Sequence, residues 1–378
     1  MPPHLLKLFA ACAPGLETCV AQELQRLNFA DVHSVAGGAT FSGALEDVSR
    51  ANVWLRTASR ILARVGHFRV TEFWQLHKWA AKLEWEKFLR PGQPLALRAT
   101  CHKSKLYHST AVAERVARAI GERLGQTVKF ELEKGDEDGD EGKTQLIVVR
   151  LEHDWCTLSV DASGELLHKR GYRLAVAKAP LRETLAAGML MLVEWDKVSP
   201  LIDPFCGSGT ILIEAALLAQ NLPPGAARPF AFTDWPMFAG AVGQPPSPAP
   251  AIPPPKILGY DRDAGAIEAA RANAERAAVN PGPVFTQQAI SHLRPPSGPP
   301  GLILTNPPYG VRISEPEDVR NLYAAFGQIL QERFAGWRVA FLCSEDRLAH
   351  ATGLPLNPNQ APTLVNGGLR VKLWRAQL

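Results

Sequence analysis

The stretch Leu201-Ile202-Asp203-Pro204-Phe205-Cys206-Gly207-Ser208-Gly209-Thr210 runs from an apolar strand into an acid, through two glycines and into an apolar segment with helical spacing. The glycines let the backbone turn sharply, and a helix opens at Thr210. Working outward, a helix over Glu183–Val193 precedes a strand at Ser199–Asp203, and the helix Thr210–Ala219 follows it. The pattern then gives a strand at Lys256–Tyr260, a helix at Ala264–Ala278, and strands near Val284–Thr286 and Gly301–Thr305. A helix at Glu317–Phe334, a strand at Arg338–Cys343 and a closing hairpin within Thr363–Trp374 complete it. Strands alternating with helices predict an α/β domain, a Rossmann-like doubly wound parallel sheet. Residues 243 to 256 hold seven prolines and are expected to form an extended surface insertion.

In a doubly wound sheet, ligands lie beyond the carboxyl ends of the strands, where the Asp203–Thr210 turn falls. A phosphate loop of the Walker type would carry a lysine, and this turn has none. The turn therefore fits a nucleoside with an amino-acid tail better than a triphosphate. Asp261, at the tip of the next strand, is placed to accept hydrogen bonds from ribose hydroxyls. An acid in this region can also serve as a helix cap, and Asp263 is the residue placed for that.

Asn306-Pro307-Pro308-Tyr309 follows the strand Leu302–Thr305. An exocyclic amine on a base is a poor nucleophile because its lone pair is delocalised into the ring. Acceptors that hold its two N–H bonds favour a pyramidal, more nucleophilic nitrogen. The Asn306 side-chain oxygen and the Pro307 carbonyl can do this without a general base of tuned pKa. Pro307 and Pro308 stiffen the turn, and Tyr309 offers a face on which an extruded base can stack.

The first half of the chain reads differently. Strands at Leu5–Cys12, Val32–Val35 and Ala39–Phe41 and helices from Leu16 and at Leu45–Trp54 make a small βαββα-like unit leading into Ala58–Val70. Then come a helix near Phe73–Ala81, a strand at Pro94–Thr100, a helix at Ser109–Leu124 and strands at Gln145–Leu151 and Trp155–Asp161. Acidic residues crowd a loop at Glu131–Glu141. His102-Lys103-Ser104-Lys105-Leu106-Tyr107-His108 is either a solvated polar loop or a grip for phosphates. Trp74, Trp79 and Trp85 are expected to pack in a core or an interface.

With 46% hydrophobic and 21% charged residues, the 378-residue chain has material for more than one buried core. Its net charge of +4 is compatible with nucleic acid without demanding it. No apolar run reaches the roughly 20 residues of a membrane helix, and the N-terminus lacks the order of a signal peptide. Six cysteines without metal or disulfide spacing predict reduced thiols, a cytoplasmic location and no metal.

Together, Asp203-Pro-Phe-Cys-Gly-Ser-Gly-Thr and Asn306-Pro-Pro-Tyr-Gly resemble the motifs of the amino-methylating, Rossmann-like methyltransferases. More narrowly, the chain resembles the bacterial 23S rRNA guanine-N2 methyltransferases that carry a THUMP domain. Phe9-Ala-Ala-Cys-Ala-Pro-Gly-Leu-Glu, Gly37-Gly-Ala-Thr-Phe-Ser-Gly, Trp54-Leu-Arg-Thr-Ala-Ser-Arg-Ile, Leu167-His-Lys-Arg-Gly-Tyr-Arg and Ala179-Pro-Leu-Arg-Glu-Thr-Leu-Ala-Ala carry that likeness. It implies an N-terminal α+β region, ferredoxin-like over residues 1–60 and THUMP over 61–165, followed by the methyltransferase domain over 166–378.

The same resemblance implies S-adenosylmethionine as cofactor and RNA, 23S rRNA first, as partner, with no membrane and a monomeric state. The expected cofactor contacts are Pro180, Arg182, Glu183, Thr184, Asp203, Phe205, Cys206, Gly207, Ser208, Gly209, Thr210, Asp261, Arg262, Gln288, Ala289 and Asn306. The expected catalytic set is Asn306, Pro307, Pro308 and Tyr309, and the expected RNA contacts are Lys103, Lys105, Arg170 and Arg173. Many members have an aspartate after the third strand that contacts the adenine amine; Ala289 holds that place here, leaving Gln288 or a backbone contact. A tRNA guanine-N2 methyltransferase, a DNA adenine-N6 methylase and a non-catalytic RNA-assembly protein are the alternatives that the sequence leaves open.

Overall fold

A computed structural model of the chain describes residues 5–133, 144–174, 181–238, 255–309 and 316–378. Most of the acidic loop, most of the proline-rich insertion and Pro180 lie outside the described residues. The chain forms two compact units. The first takes most residues up to Leu167 and a segment from Gly225; the second takes His168–Pro224 and the later residues, with Ala13–Cys19.

The first unit is built on an eight-stranded sheet. Its elements are β1 (Leu6–Cys12), α1 (Glu17–Arg26), β2 (Ala30–Val35), β3 (Gly38–Gly43), α2 (Leu45–Trp54), β4 (Ala58–Arg69), α3 (Phe73–Ala80), β5 (Leu95–His102), α4 (Ser109–Leu124), β6 (Phe130–Leu132), β7 (Gln145–Glu152) and β8 (Trp155–Asp161). The strand order is β2-β3-β1-β4-β8-β7-β5-β6, so one continuous sheet serves both the ferredoxin-like and the THUMP regions. Val112, Val116 and Ile120 recur one turn apart on α4 and are fully buried. A left-handed Gly125 ends that helix.

Of the core or interface packing expected of the three tryptophans, core packing holds for Trp85, which is buried, and not for Trp74 and Trp79, which are 61% and 43% exposed. The physical reason is the narrow buried stripe of α3, where Leu76 and Ala80 turn inward. The two indoles stay outside, with Lys78 and Lys82 ammonium groups 5.9 and 4.9 Å from their ring centres.

The second unit is the doubly wound domain. Its elements are α5 (Glu183–Leu192), β9 (Leu201–Asp203), α6 (Thr210–Ala219), β10 (Ile257–Asp261), α7 (Ala264–Arg276), β11 (Val284–Gln287), β12 (Leu302–Thr305), α8 (Pro316–Arg333), β13 (Arg338–Cys343), α9 (Asp346–Ala351), β14 (Thr363–Asn366) and β15 (Leu369–Gln377). The sheet order is β11-β10-β9-β12-β13-β15-β14, parallel from β11 to β13 and closed by the antiparallel β14–β15 hairpin. The order reverses between β9 and β12, the switch point at which such sheets open a crevice. Strands β9 and β12 are buried throughout, which is why they read as unbroken apolar runs rather than alternating ones. Among the described residues no helix is long and apolar enough to cross a membrane.

Candidate functional site

Strands β9 and β12 are neighbours, so their carboxyl ends bring Asp203 and Asn306 to the same switch point although 102 residues separate Asp203 from Thr305. Asp203 is 1% exposed. Its Oδ1 accepts from the Thr305 hydroxyl at 2.5 Å and from the Phe205 N–H at 3.1 Å. Burial pushes its carboxyl up from 3.8 to about 7, against the pull of the Thr305 hydrogen bond. The turn that follows is shaped by two glycines in the left-handed region. Gly209 has φ +83°, and a Cβ there would lie 2.8 Å from the Phe285 ring. Gly207 has φ +50° and open space where a side chain would stand. Gly207 thus leaves room for a ligand against bare backbone, while Gly209 lets α6 close onto β11.

Asp261 completes the loop from the next strand. Its Oδ2 accepts from the Gly207 N–H and its Oδ1 from the Asp263 N–H, both at 3.0 Å. Each carboxylate oxygen retains a further lone pair for a ligand. Asp263 is the cap foreseen for α7, its Oδ1 accepting from Gly265 and Ala266. Arg262 is exposed beside them. The backbone N–H of Gln288 donates to the Asp261 carbonyl at 2.8 Å, which fixes Gln288 and the exposed Ala289 next to the loop. Cys206 is buried, and burial raises its thiol well above the ordinary range, so it is an inert filler. Ser208 is held by its carbonyl, which accepts from the Asn273 side chain at 3.0 Å. Phe205 packs edge-on against Phe326, and Thr210 is buried at the start of α6.

At the tip of β12 the side-chain oxygen of Asn306 is buried and has no hydrogen-bond partner among the described residues. An unpaired buried acceptor is costly, and one at a strand tip fits a donor supplied by a ligand. Pro307 is buried and Pro308 half-buried beside it. Tyr309 is 8% exposed, and its hydroxyl accepts from the Asn366 amide at 2.7 Å. The ring expected to meet an extruded base is therefore anchored to the end of β14.

Two of the four residues expected to hold RNA lie inside the second unit. The Arg170 side chain is 2% exposed, with Nε 3.5 Å from the fully buried Glu214 carboxylate. Arg173 donates to the Leu181 carbonyl at 2.8 Å and to Glu183 at 3.2 Å. Both guanidiniums are engaged by partners within the unit. The Tyr172 hydroxyl joins them by donating to Glu214 at 3.2 Å. Burial pushes Glu183 up to about 7, against the opposing pull of Arg173. Thr184 is buried in the first turn of α5, and Arg182 is its N-cap residue. Lys103 and Lys105 are exposed, in the first unit.

Sequence reasoning passed over Thr305, Asn273, Glu214 and Asn366. A polar residue closing an apolar strand and an asparagine inside a helix were the available signals for the first two.

Three family models match the chain. Residues 170–370 match the RMKL-like methyltransferase domain, residues 7–62 the RlmL ferredoxin-like domain and residues 70–161 the THUMP domain. The chain is 35% identical to a ribosomal RNA large subunit methyltransferase K/L of Syntrophotalea carbinolica over 97% of its length, and spans only 53% of that protein. It is 33% identical to a protein of Synechocystis sp. provisionally named an RNA methyltransferase, with 98% of this chain and 96% of that one covered. The crystal structure of SMU.472, provisionally described as a methyltransferase and solved with S-adenosylhomocysteine, matches with a TM-score of 0.84 and 29% identity over 99% of this chain and 98% of that one.

Proposed function

The chain belongs to the RMKL-like methyltransferase family, and from that premise we propose that it methylates the N2 amine of guanine in RNA, with large-subunit rRNA as substrate and S-adenosylmethionine as methyl donor. The observation that carries the reading is the unpaired, buried Asn306 oxygen at the switch point, beside the Gly-rich loop. When bound, the cofactor supplies an electrophilic methyl group.

The chain's residues account for the rest. Asp261 has lone pairs left for ribose hydroxyls, and the bare backbone at Gly207 leaves room for the ligand. Asn306 and the Pro307 carbonyl take the two amine N–H groups, orienting the nitrogen lone pair toward the methyl group. No residue has to remove a proton before transfer. The proton leaves afterwards, from a nitrogen made acidic by its new bond. Pro307 and Pro308 limit the motion of these acceptors, so the orientation is in place before the base arrives.

The target guanine has to leave its stack, at a cost of a few kcal/mol, so an unpaired or weakly paired guanine is favoured. Residues 1–60, 61–165 and 166–378 act as ferredoxin-like, RNA-gripping and catalytic parts, and Lys103 and Lys105 contact phosphates. The test is nucleoside analysis after incubating the full chain with tritiated S-adenosylmethionine and naked 23S rRNA, tRNA or duplex DNA. N2-methylguanosine in the rRNA is the expected product; N6-methyladenine in DNA, or no transfer to any substrate, refutes the assignment.

A further inference from the structure

The register of the eight-stranded sheet places three rows of side chains on one face, across β4, β8, β7 and β5. The first row is Arg64, Ser159, Val148 and Arg98; the second is His67, Thr157, Arg150 and Thr100; the third is Arg69, Trp155, Glu152 and His102. The opposite side belongs to the helices and core: Leu158, Val149, Leu151 and Leu97 lie there and are buried, and a Cβ on Gly66 would meet Leu83. On the rowed face His67, Arg69, Thr100, His102, Arg150 and Trp155 are all exposed.

Its chemistry is that of a platform for a polyanion with flat bases. The His67 and Trp155 rings stack, with centroids 4.9 Å apart and planes 10° from parallel. The His67 Nδ1 is 3.0 Å from the Thr157 hydroxyl, which locks the imidazole against the indole. Trp155 remains 47% exposed, so part of its ring is open to a partner. Four arginines share the face with a single carboxylate of its own rows, Glu152, which pairs with Arg150 at 2.9 Å. Arg98 is paired as well, with Glu133 at 2.8 Å, while burial and the neighbouring Arg150 both push the Arg64 guanidinium down. The His102 end of the third row continues into the loop carrying Lys103 and Lys105. That loop is fastened to the β7–β8 turn, where Asp154 accepts from the Lys105 N–H at 2.8 Å and donates its own N–H to Ser104 at 3.0 Å.

We propose that this open sheet face binds an unpaired segment of the RNA, one base stacking on the Trp155–His67 pair while Arg69 and Arg150 hold flanking phosphates. A stacked ring pair suits a splayed base, because every base has a π-face, whereas a duplex keeps its bases inside. The proposal rests on RNA being the substrate, and the experiment separates the two. The full chain is titrated into a labelled 12-nucleotide oligouridine and into a 12-base-pair RNA duplex, and anisotropy is read over a range of salt concentrations. Single-strand binding tighter than duplex binding is expected. Trp155→Ala should weaken it about tenfold or more, and Arg69→Gln and Arg150→Gln should each flatten the salt slope by about 0.7.

Because these side chains are exposed, the variants should keep the wild-type circular dichroism and cofactor affinity. Equal binding of oligouridine by Trp155→Ala and wild type overturns the platform, while rRNA methylation by that wild type leaves the proposed function standing. Conversely, Trp155-dependent binding in a chain that methylates no RNA sustains the platform and sinks the function. Oligoglutamate that displaces the oligouridine as well as unlabelled oligouridine does also overturns it, and marks the face as a site for an acidic protein.

Discussion

In the second unit, polar groups are drawn inside: Asp203 at the tip of β9, Glu183 at the start of α5 and Glu214 within α6 are at most 1% exposed, and each is met by a named donor or cation. On the rowed face of the first unit, Arg69, Arg150, His102 and Trp155 stand in solvent. Both regions are polar and partly basic, yet they do opposite work. Buried charges must be paired, so the first set specifies geometry. Exposed charges interact weakly with one another and remain available to a partner. A basic stretch in a sequence is thus no index of a nucleic-acid contact until its carboxylate partners are known.

The largest test of that contrast is stability. Replacing Arg170 with Met leaves the Glu214 carboxylate buried beside an apolar side chain, and should cost about 3–5 kcal/mol in urea unfolding. Arg150→Gln, which loses a pair about half exposed on both sides, should cost less than about 0.5 kcal/mol. Comparable losses in the two variants would break the contrast.

Catalysis should follow the inner set. Asn306→Ala removes the unpaired acceptor and is expected to lower turnover by roughly 10²–10³-fold, the scale seen when one oriented polar group is lost from an active site. Cofactor affinity by calorimetry should change little in that variant. Asp261→Ala should do the reverse of this in binding, weakening cofactor affinity by roughly 10–100-fold, because a charged acceptor and the brace on Gly207 go together.

A subtler consequence concerns pH. Burial raises Asp203 from 3.8 to about 7, so the folded state favours the protonated acid. The stabilisation is complete below about pH 4 and is lost as pH rises through 7. The stability of the wild type relative to Asp203→Asn should therefore fall between pH 4 and 7, read as the difference between two urea midpoint profiles. A difference that rises with pH would reverse the assignment. The smallest expected effect lies on the outer set: Lys103→Gln with Lys105→Gln should flatten the salt dependence of single-stranded RNA binding by about 1.4, leaving cofactor affinity intact.

The readable parts of this chain were those whose signals are local. The period of α4 and the glycines after β9 are written within a few residues, and the helices at Ser109–Leu124 and Thr210–Ala219 fall where the spacing places them. The parallel sheet followed from alternation, but that β9 and β12 are neighbours within it is seen only in the structure. That Trp74 and Trp79 stand outside the core was not legible, because residue type predicts burial only on average and a short helix hides one stripe.

By itself the sequence determined the order of helices and strands, the sharp Gly207–Gly209 turn and the residues that stand at the strand tips, because backbone sterics and side-chain periodicity act over a few residues. Tertiary structure alone decided what those residues touch. Thr305 reaches Asp203 across 102 positions, Asn366 reaches Tyr309 across 57 and Arg170 meets Glu214 across 44. The rows on the open sheet face exist only in one register, since a shift of a single residue would send Trp155 and Arg150 to the other side. Pairings of that range depend on strand order and register, which the packing of the whole core selects.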